Sequence, residues 1–454
     1  MGNILSLKIG ITAIIGCLFA ALIASGFSPL YIMGILFVLI LAQIFISHLL
    51  YFLFMLLLLR PAIDSILLSI RFSVGGIDIG LGGIVNLFLV LGAIFYILIT
   101  PHNSNRLKLP IIAFYAMFCF VYSMSLFTSP EVSSAVKILL GYFSVLAILI
   151  MVIGNISSEK DAGLLLKAIP LSAIIPIVVG TIDYLFYGGY SGEFAAGRFV
   201  ATFSHPNVLA FFLLIIIGCL FFQIDNPSSS LQYSFWRIVC IAILISILVL
   251  AETRSSWMAL VLMGAMYAVF FNRKWIMPGI GMLIVLSFIP LVQQKILNIF
   301  SSYGGQVEIN EMSSFGWRLN KWHDLLVVGV KKPFFGHGIL ASRYIGKDNL
   351  EAHNDYIRFF VESGFIGVLV YFLPYFYVLT HAVKNYQSFE KNGVLQKLAS
   401  FFICFIPAFL LMSISENLAG YVIIHWYFWG LIGIYFRLIS IKEKASIQYI
   451  NLYR

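Results

Sequence analysis

The chain has 454 residues, 61% of them hydrophobic and 10% charged, far from the roughly 25% charge of an ordinary soluble domain. This excludes a soluble enzyme, and apolar runs along the whole length argue for one integral membrane domain over 1–454. The net charge of +9 reads as topology signalling and not as a nucleic-acid surface, because Lys and Arg gather in short connections between apolar runs.

At about 20 apolar residues per span, the pattern predicts an all-α bundle of about 12 to 14 transmembrane helices. In chain order they fall near 8–26, 29–45, 47–60, 80–99, 109–128, 132–154 and 164–188, then near 207–223, 235–252, 254–271, 276–292, 357–381, 397–415 and 420–438. The first run, after Lys8, reads as an uncleaved span because the next run starts at Pro29. Cys17, Cys119, Cys219, Cys240 and Cys404 each lie inside an apolar run and read as small core residues.

Arg106 and Lys108, Lys160 and Lys167, Arg237, Arg273 and Lys274, Lys384 to Lys397, and Arg437 to Lys444 fall in every second connection, which marks the cytoplasm. The alternate connections are then external, and residues 293–354 form one large periplasmic loop. Arg60 and Arg71 run against this pattern. Within the loop, Trp322, Leu325, Leu326 and Gly329 recur at helical spacing with Arg318, Asn320, Lys321 and Asp324 between them. That spacing predicts an amphipathic helix at the membrane surface over 315–330.

The chemistry must come from the few polar residues at external helix ends. Arg254 stands where one apolar helix stops and the next begins, so it faces protein or a polar cavity, where a guanidinium suits phosphate oxygens. Arg318, flanked by Trp317 and Trp322, meets lipid phosphates at the interface, and two arginines on one face suit a diphosphate. His353 and Asn354 precede an apolar helix that Asp355 can cap, and a histidine there suits proton transfer. Arg358 and Glu362, four apart, read as a structural pair. Glu193, Arg198 and His205 lie in another external segment, which enters a helix through His205, Pro206 and Asn207. Asp183 is a further intramembrane charge in need of a partner. No P-loop, GxSxG, HExxH or paired-Cys site occurs, so a transferase here needs an activated donor, and no metal or cofactor site is expected.

The ordered set resembles the O-antigen ligase and polymerase superfamily of membrane glycan transferases. It comprises Gly197-Arg198-Phe199 through Pro206-Asn207-Val208, Thr253-Arg254-Ser255-Ser256-Trp257, Trp317-Arg318-Leu319 with Trp322, Pro333-Phe334-Phe335-Gly336-His337-Gly338, and Ala352-His353-Asn354-Asp355-Tyr356 with Glu362-Ser363-Gly364-Phe365. It spans about 195–370, with Ala201 where the family often has glycine. The resemblance implies metal-independent, inverting transfer from undecaprenyl diphosphate on the periplasmic face of the bacterial inner membrane. Arg254 and Arg318 would hold the diphosphate and His353 would act as base, with Arg198, Asn207, Asn354, Trp317 and Trp322 contacting substrate.

The implied acceptor is a glycan or a lipid A-core, making the protein an O-antigen or exopolysaccharide polymerase or an O-antigen ligase. The expected number of spans favours polymerase. Membrane lipids surround it, and a flippase or chain-length regulator are candidate partners. A protein O-oligosaccharyltransferase ranks lower on the short tail 439–454, and a transporter or lipid-glycan flippase is the alternative from another class, with polar residues nearer the midplane.

Overall fold

Long apolar runs satisfy their backbone groups in lipid by forming helices, and the computed structural model is built of them. It describes residues 43–74, 77–100, 106–189, 197–223, 231–301, 314–345 and 349–452. Among these, eight helical stretches are long and apolar enough to cross a membrane: Leu49–Ser69, Leu81–Ile99, Val132–Asn155, Glu159–Tyr187, Gln232–Leu250, Asp355–Ser388, Val394–Met412 and Val422–Lys444. Three shorter apolar helices, Pro110–Met124, Pro206–Phe221 and Arg254–Phe270, lie between them in sequence. The protein is therefore an all-α multi-pass membrane protein. The described spans are fewer than the about 12 to 14 expected from hydropathy, and the expected run at 8–26 and that at 29–45 as far as residue 42 lie outside the described residues, as do Cys17 and Glu193.

Three stretches depart from the hydropathy reading, each for a local reason. The run expected at 164–188 is two helices, Glu159–Leu171 and Ile174–Tyr187, and it starts early because Ser158 and Asp161 form a capping box. The run expected at 276–292 is divided into Ile276–Ser287 and Pro290–Ser301, with Pro290 opening a second helix that runs on into the expected loop. Residues 60–80 hold a turn, the short helix Asp64–Ser69 and an antiparallel hairpin pairing Arg71–Val74 with Ile77–Gly80. Arg60 is explained by its surroundings: it pairs with Asp64 at 2.7 Å and lies over the Trp426 ring. A neutralised, packed arginine is no guide to sidedness. Of the four described cysteines, Cys119 and Cys404 are buried and Cys219 partly so, but Cys240 is exposed, contrary to the core reading.

The basic connections gather at one end of the bundle. Arg106 Nη1 donates to the Gly154 carbonyl at 2.8 Å, and Arg437 Nε to that of Ile156 at 2.7 Å. Lys442 lies 3.8 Å from Glu159 and 3.6 Å from Glu390, tying three connections together. The core between the two ends is aromatic, with Tyr115, Tyr122, Tyr142, Tyr371, Tyr375, Trp426 and Trp429 almost fully buried.

One break in a helix sets the geometry at the other end. Gly364, inside Asp355–Asn385, has φ 68° and ψ −168°, which removes it from the helical ladder. The carbonyls of Val361 and Glu362 accept from the backbone N–H groups of His337 (2.8 Å) and Gly338 (2.9 Å), and Phe365 N donates to Pro333 O (2.8 Å). The Pro333 to Gly338 segment is thus a clasp that satisfies the broken turn. A Cβ on Gly364 would stand 2.2 Å from the Phe334 backbone. Gly364→Ala is expected to cost about 3 kcal/mol or more through the left-handed φ and this clash. It should lower the melting temperature in detergent, and an unchanged melting temperature would refute the clasp.

The amphipathic helix forms over Ser314–Gly329, with Trp322, Leu325 and Gly329 of the expected stripe turned inward and Leu326 left out of it. Lys321 and Leu325 are buried, at 5% and 1% exposure, whereas Leu326 is 42% exposed. The helix packs against Asp355–Asn385, with Gly329 facing Phe360, so positions four apart turn inward and the lysine stem covers apolar surface. The expected Arg358 and Glu362 pair is present at 3.4 Å, buried, and Glu362 also accepts from Ser342 Oγ at 2.6 Å and from the Tyr122 hydroxyl.

Candidate active site

The site is built from helix starts. His205 is the N-cap of Pro206–Phe221: its Nδ1 accepts from Asn207 N at 3.1 Å, and Pro206 occupies the first turn. That cap aims Asn207 inward. Asn207 Oδ1 accepts from Arg198 Nη2 (2.9 Å) and from Thr253 Oγ1 (3.1 Å), and Nδ2 donates to Glu416 Oε2 (3.0 Å). Arg198 also donates from Nε to Ala251 O (2.7 Å) and from Nη2 to Thr253 Oγ1 (2.9 Å). Arg198 therefore joins the segment before Asn207 to the turn before Arg254, and its donors are largely engaged by protein. Burial, and then the Arg198 charge, hold His205 below the usual histidine range.

Ala201 occupies backbone that suits glycine. Its φ is +54°, the left-handed region in which glycine is unstrained and alanine is not. Ala201→Gly is expected to stabilise the protein by about 0.5–1 kcal/mol, the relief of strain exceeding the added freedom of the unfolded chain. A lower melting temperature would count against this account.

Glu416, in the turn between Val394–Met412 and Val422–Leu452, is the residue around which the others converge. It is 4% exposed. Besides Asn207, its carboxylate meets Ser255 Oγ at 3.5 Å, Arg318 Nη2 at 3.8 Å and His353 Nδ1 at 3.7 Å. Burial alone would raise its pKa, but His353, Arg318 and Asn207 together outweigh burial and hold it below the usual carboxylate value. Arg318 is fixed further by Nη1 donating to Ser415 O at 2.7 Å. Arg254, first residue of Arg254–Phe270 and half-buried, is close enough to feel the charges of both Arg318 and Glu416.

His353 sits on strained backbone, φ +47°, a conformation that non-glycine residues adopt mainly where the surroundings enforce it. The surroundings do so. Ala352 O accepts from Trp322 Nε1 (2.7 Å), Asn354 N donates to Asn417 Oδ1 (3.3 Å), and Asp355 N to Ser413 O (2.8 Å). The expected cap by Asp355 is corrected: Asn354 is the N-cap, accepting from Ile357 N at 3.0 Å, while the buried Asp355 carboxylate accepts from Ala419 N at 3.2 Å. The imidazole is one-third exposed, yet Nδ1 is buried and faces Glu416, so the exposed edge is the one carrying Nε2. Trp317 stands edge-on to the ring, with centroids 6.1 Å apart.

Of the sequence-predicted residues, Arg254, Arg318, His353 and Asn207 come together around Glu416, with Trp317 beside them. Arg198, Asn354 and Trp322 instead fix the surroundings of those residues, through Asn207 Oδ1 and the Ala251 carbonyl, the Ile357 N–H, and the Ala352 carbonyl respectively. Glu416 and His205 were the residues not singled out for catalysis by sequence. For Glu416, the available signal was an acid in a short connection between apolar helices, where a charge needs a partner. Among the described residues, no group of three or more His, Cys, Asp or Glu side chains could hold a metal ion.

Residues 238–372 match the family model described as O-Antigen ligase. That match contains Arg254, Arg318 and His353 but leaves out the Arg198 to Asn207 segment and Glu416. An uncharacterised protein of Haemophilus influenzae is 27% identical over 244 residues, covering 47% of this chain and 59% of that protein. The ComP-specific O-oligosaccharyltransferase of Acinetobacter baylyi is 24% identical over 287 residues, covering 59% of this chain and 48% of that protein. The chain thus spans about half the length of the curated relatives it matches.

Proposed function

We propose that this multi-pass protein, a membrane glycan transferase of the O-antigen ligase type, moves a glycan from undecaprenyl diphosphate to an acceptor hydroxyl at the periplasmic face of the inner membrane. The observation that carries the reading is the single carboxylate of Glu416 set against Arg318, with Arg254 and His353 alongside. One acid beside two guanidinium groups leaves a positive field for an anionic leaving group. Diphosphate departs with developing negative charge, and two guanidinium groups in a partly desolvated site stabilise that charge without a metal.

In this scheme, Nε2 of His353 accepts the acceptor hydroxyl proton, while Glu416, 3.7 Å from the opposite nitrogen, offsets the charge the imidazole gains. The hydroxyl oxygen attacks the anomeric carbon, the bond to the diphosphate oxygen breaks, and its electron pair leaves on the diphosphate. Attack opposite the leaving group inverts the anomeric centre. The clustering of polar groups at one end of the bundle favours this over a transporter or flippase, whose charges belong near the midplane. Polymerase and ligase share the scheme and differ in acceptor. The relative described as an O-oligosaccharyltransferase adds a protein hydroxyl to the acceptors worth testing.

The test is purified protein with undecaprenyl-diphosphate glycan, assayed alone, with a lipid A-core acceptor, and with a protein acceptor, each with and without a chelator. Ladders from donor alone indicate a polymerase, and product only with an added acceptor identifies a ligase or protein-directed transferase. Arg254→Ala and Arg318→Ala should each lower kcat/KM about 100-fold or more. Full activity in both variants would sink the proposed diphosphate clamp, and inhibition by chelator would sink its metal-free part.

A further inference from the structure

The histidine at the start of Pro206–Phe221 is held from both sides. Upstream, the chain is tied to the stretch that contains Asp64: Ser65 N donates to Thr202 O at 3.0 Å, Thr202 Oγ1 to Pro61 O at 2.6 Å, and Ser204 N to Asp64 Oδ2 at 3.4 Å. Downstream, the His205 carbonyl accepts from Val208 N and its Nδ1 from Asn207 N, each at 3.1 Å. A ring nitrogen that accepts carries no proton, so this imidazole is uncharged and protonated at Nε2. A line of contacts leads from it to the site: Asn207 Nδ2 donates to Glu416 Oε2 at 3.0 Å, and Glu416 lies 3.7 Å from His353 Nδ1.

We propose that His205 is a positioning residue for the transfer, an uncharged cap that fixes Asn207 and, through Glu416, the imidazole of His353; the assignment rests on the reading of function above. The electrostatics of the site account for the residue type. Serine, threonine, asparagine and aspartate are the usual caps, but an aspartate here would bring a second carboxylate near Glu416 and weaken the positive field that an anionic leaving group needs. His205 is near enough to Arg198, Glu416 and His353 for their charges to act on it, so a charge on residue 205 acts on them in return. A neutral ring nitrogen caps the helix without that effect.

Three substitutions separate the parts of this role. His205→Ala removes the cap and should lower kcat about 10- to 100-fold, with the donor KM within about twofold of wild type, because misplacement acts on the base and not on the two arginines. His205→Asn restores a neutral cap and should keep kcat within about threefold of wild type. His205→Asp also caps the helix but should raise the donor KM about tenfold. Both capped variants keep the helix start, so they test the assignment whether or not the alanine variant folds. Full kcat in His205→Ala, or a large loss of kcat in His205→Asn, overturns the assignment. A donor KM in His205→Asp equal to that of His205→Asn overturns the requirement for an uncharged cap. Combining His205→Ala with Asn207→Ala should give a variant no slower than Asn207→Ala alone, and additive losses refute the route through Asn207.

A further measurement is independent of catalysis. Nitrogen NMR of histidine-labelled protein at neutral pH, without substrate, should show His205 as the neutral tautomer protonated at Nε2. The His353 ring signals should shift in His205→Ala but not in His205→Asn. A charged ring or the Nδ1-protonated tautomer at His205 refutes the cap. Absence of transfer from any donor sinks the function itself, whereas these spectra still decide whether His205 positions His353.

Discussion

Replacing His353 by alanine is expected to lower kcat by about 100- to 10,000-fold, the usual contribution of a positioned general base, with donor affinity little changed. The reason lies in the division of labour at the site. In the proposed scheme the phosphate-binding groups are Arg254 and Arg318, and Arg318 keeps its own anchors at Ser415 and Glu416 when the imidazole is removed. Binding of a lipid diphosphate, measured by fluorescence or isotope retention, should survive while transfer stops. A loss of affinity as large as the loss of turnover would show that His353 binds substrate, and the assigned role would fall. The left-handed backbone at His353 adds a control. His353→Gly also removes the imidazole but relieves the strain, so it should be equally inactive and more stable than the alanine variant.

Changing Glu416 to glutamine should lower kcat/KM about 100-fold or more, since a neutral amide neither holds the imidazolium that forms during transfer nor balances Arg318. The side chain keeps its size and can still accept from Asn207, so the variant should fold. Glu416 also links stability to acidity. Its folded-state pKa lies below the unfolded value, which is near ~4.3 for glutamate. The carboxylate therefore adds stability that is complete above the unfolded value and is lost as pH falls through the depressed folded value. Melting temperatures measured from about pH 6 down to pH 3 should fall more steeply for wild type than for Glu416→Gln. Parallel curves would mean that the carboxylate gains nothing from its neighbours in the folded state.

Hydropathy made most of the bundle legible, because twenty apolar residues in lipid have few options besides a helix. It failed where local chemistry decides: the capping box at Ser158, the proline start at Pro290, and the hairpin after Ser69 carry no hydropathy signal. Arg254, Arg318 and His353 were readable because each charge stands out at an apolar helix end and the family pattern orders them. Glu416 was not, since it lies more than 60 residues from His353 and no short motif connects the two. Asn354 and Asp355 show a finer limit. Both residue types cap helices, and only the neighbouring turn at Ser413 to Ala419, which claims the Asp355 carboxylate, assigns the cap to Asn354.

The broken turn at Gly364 also determines which parts of the site can rearrange separately. The clasp from Pro333 to Gly338 binds the segment following Arg318 to the helix that starts just after His353, and Trp322 closes a second link to Ala352. The roles proposed for Arg318 and His353 are consequently carried by one bonded unit. Arg254 and Asn207 belong to other helices, and the contacts converging on Glu416 connect them to that unit. In the proposed scheme, Arg318 and His353 therefore keep their spacing from one another whatever the donor's sugar.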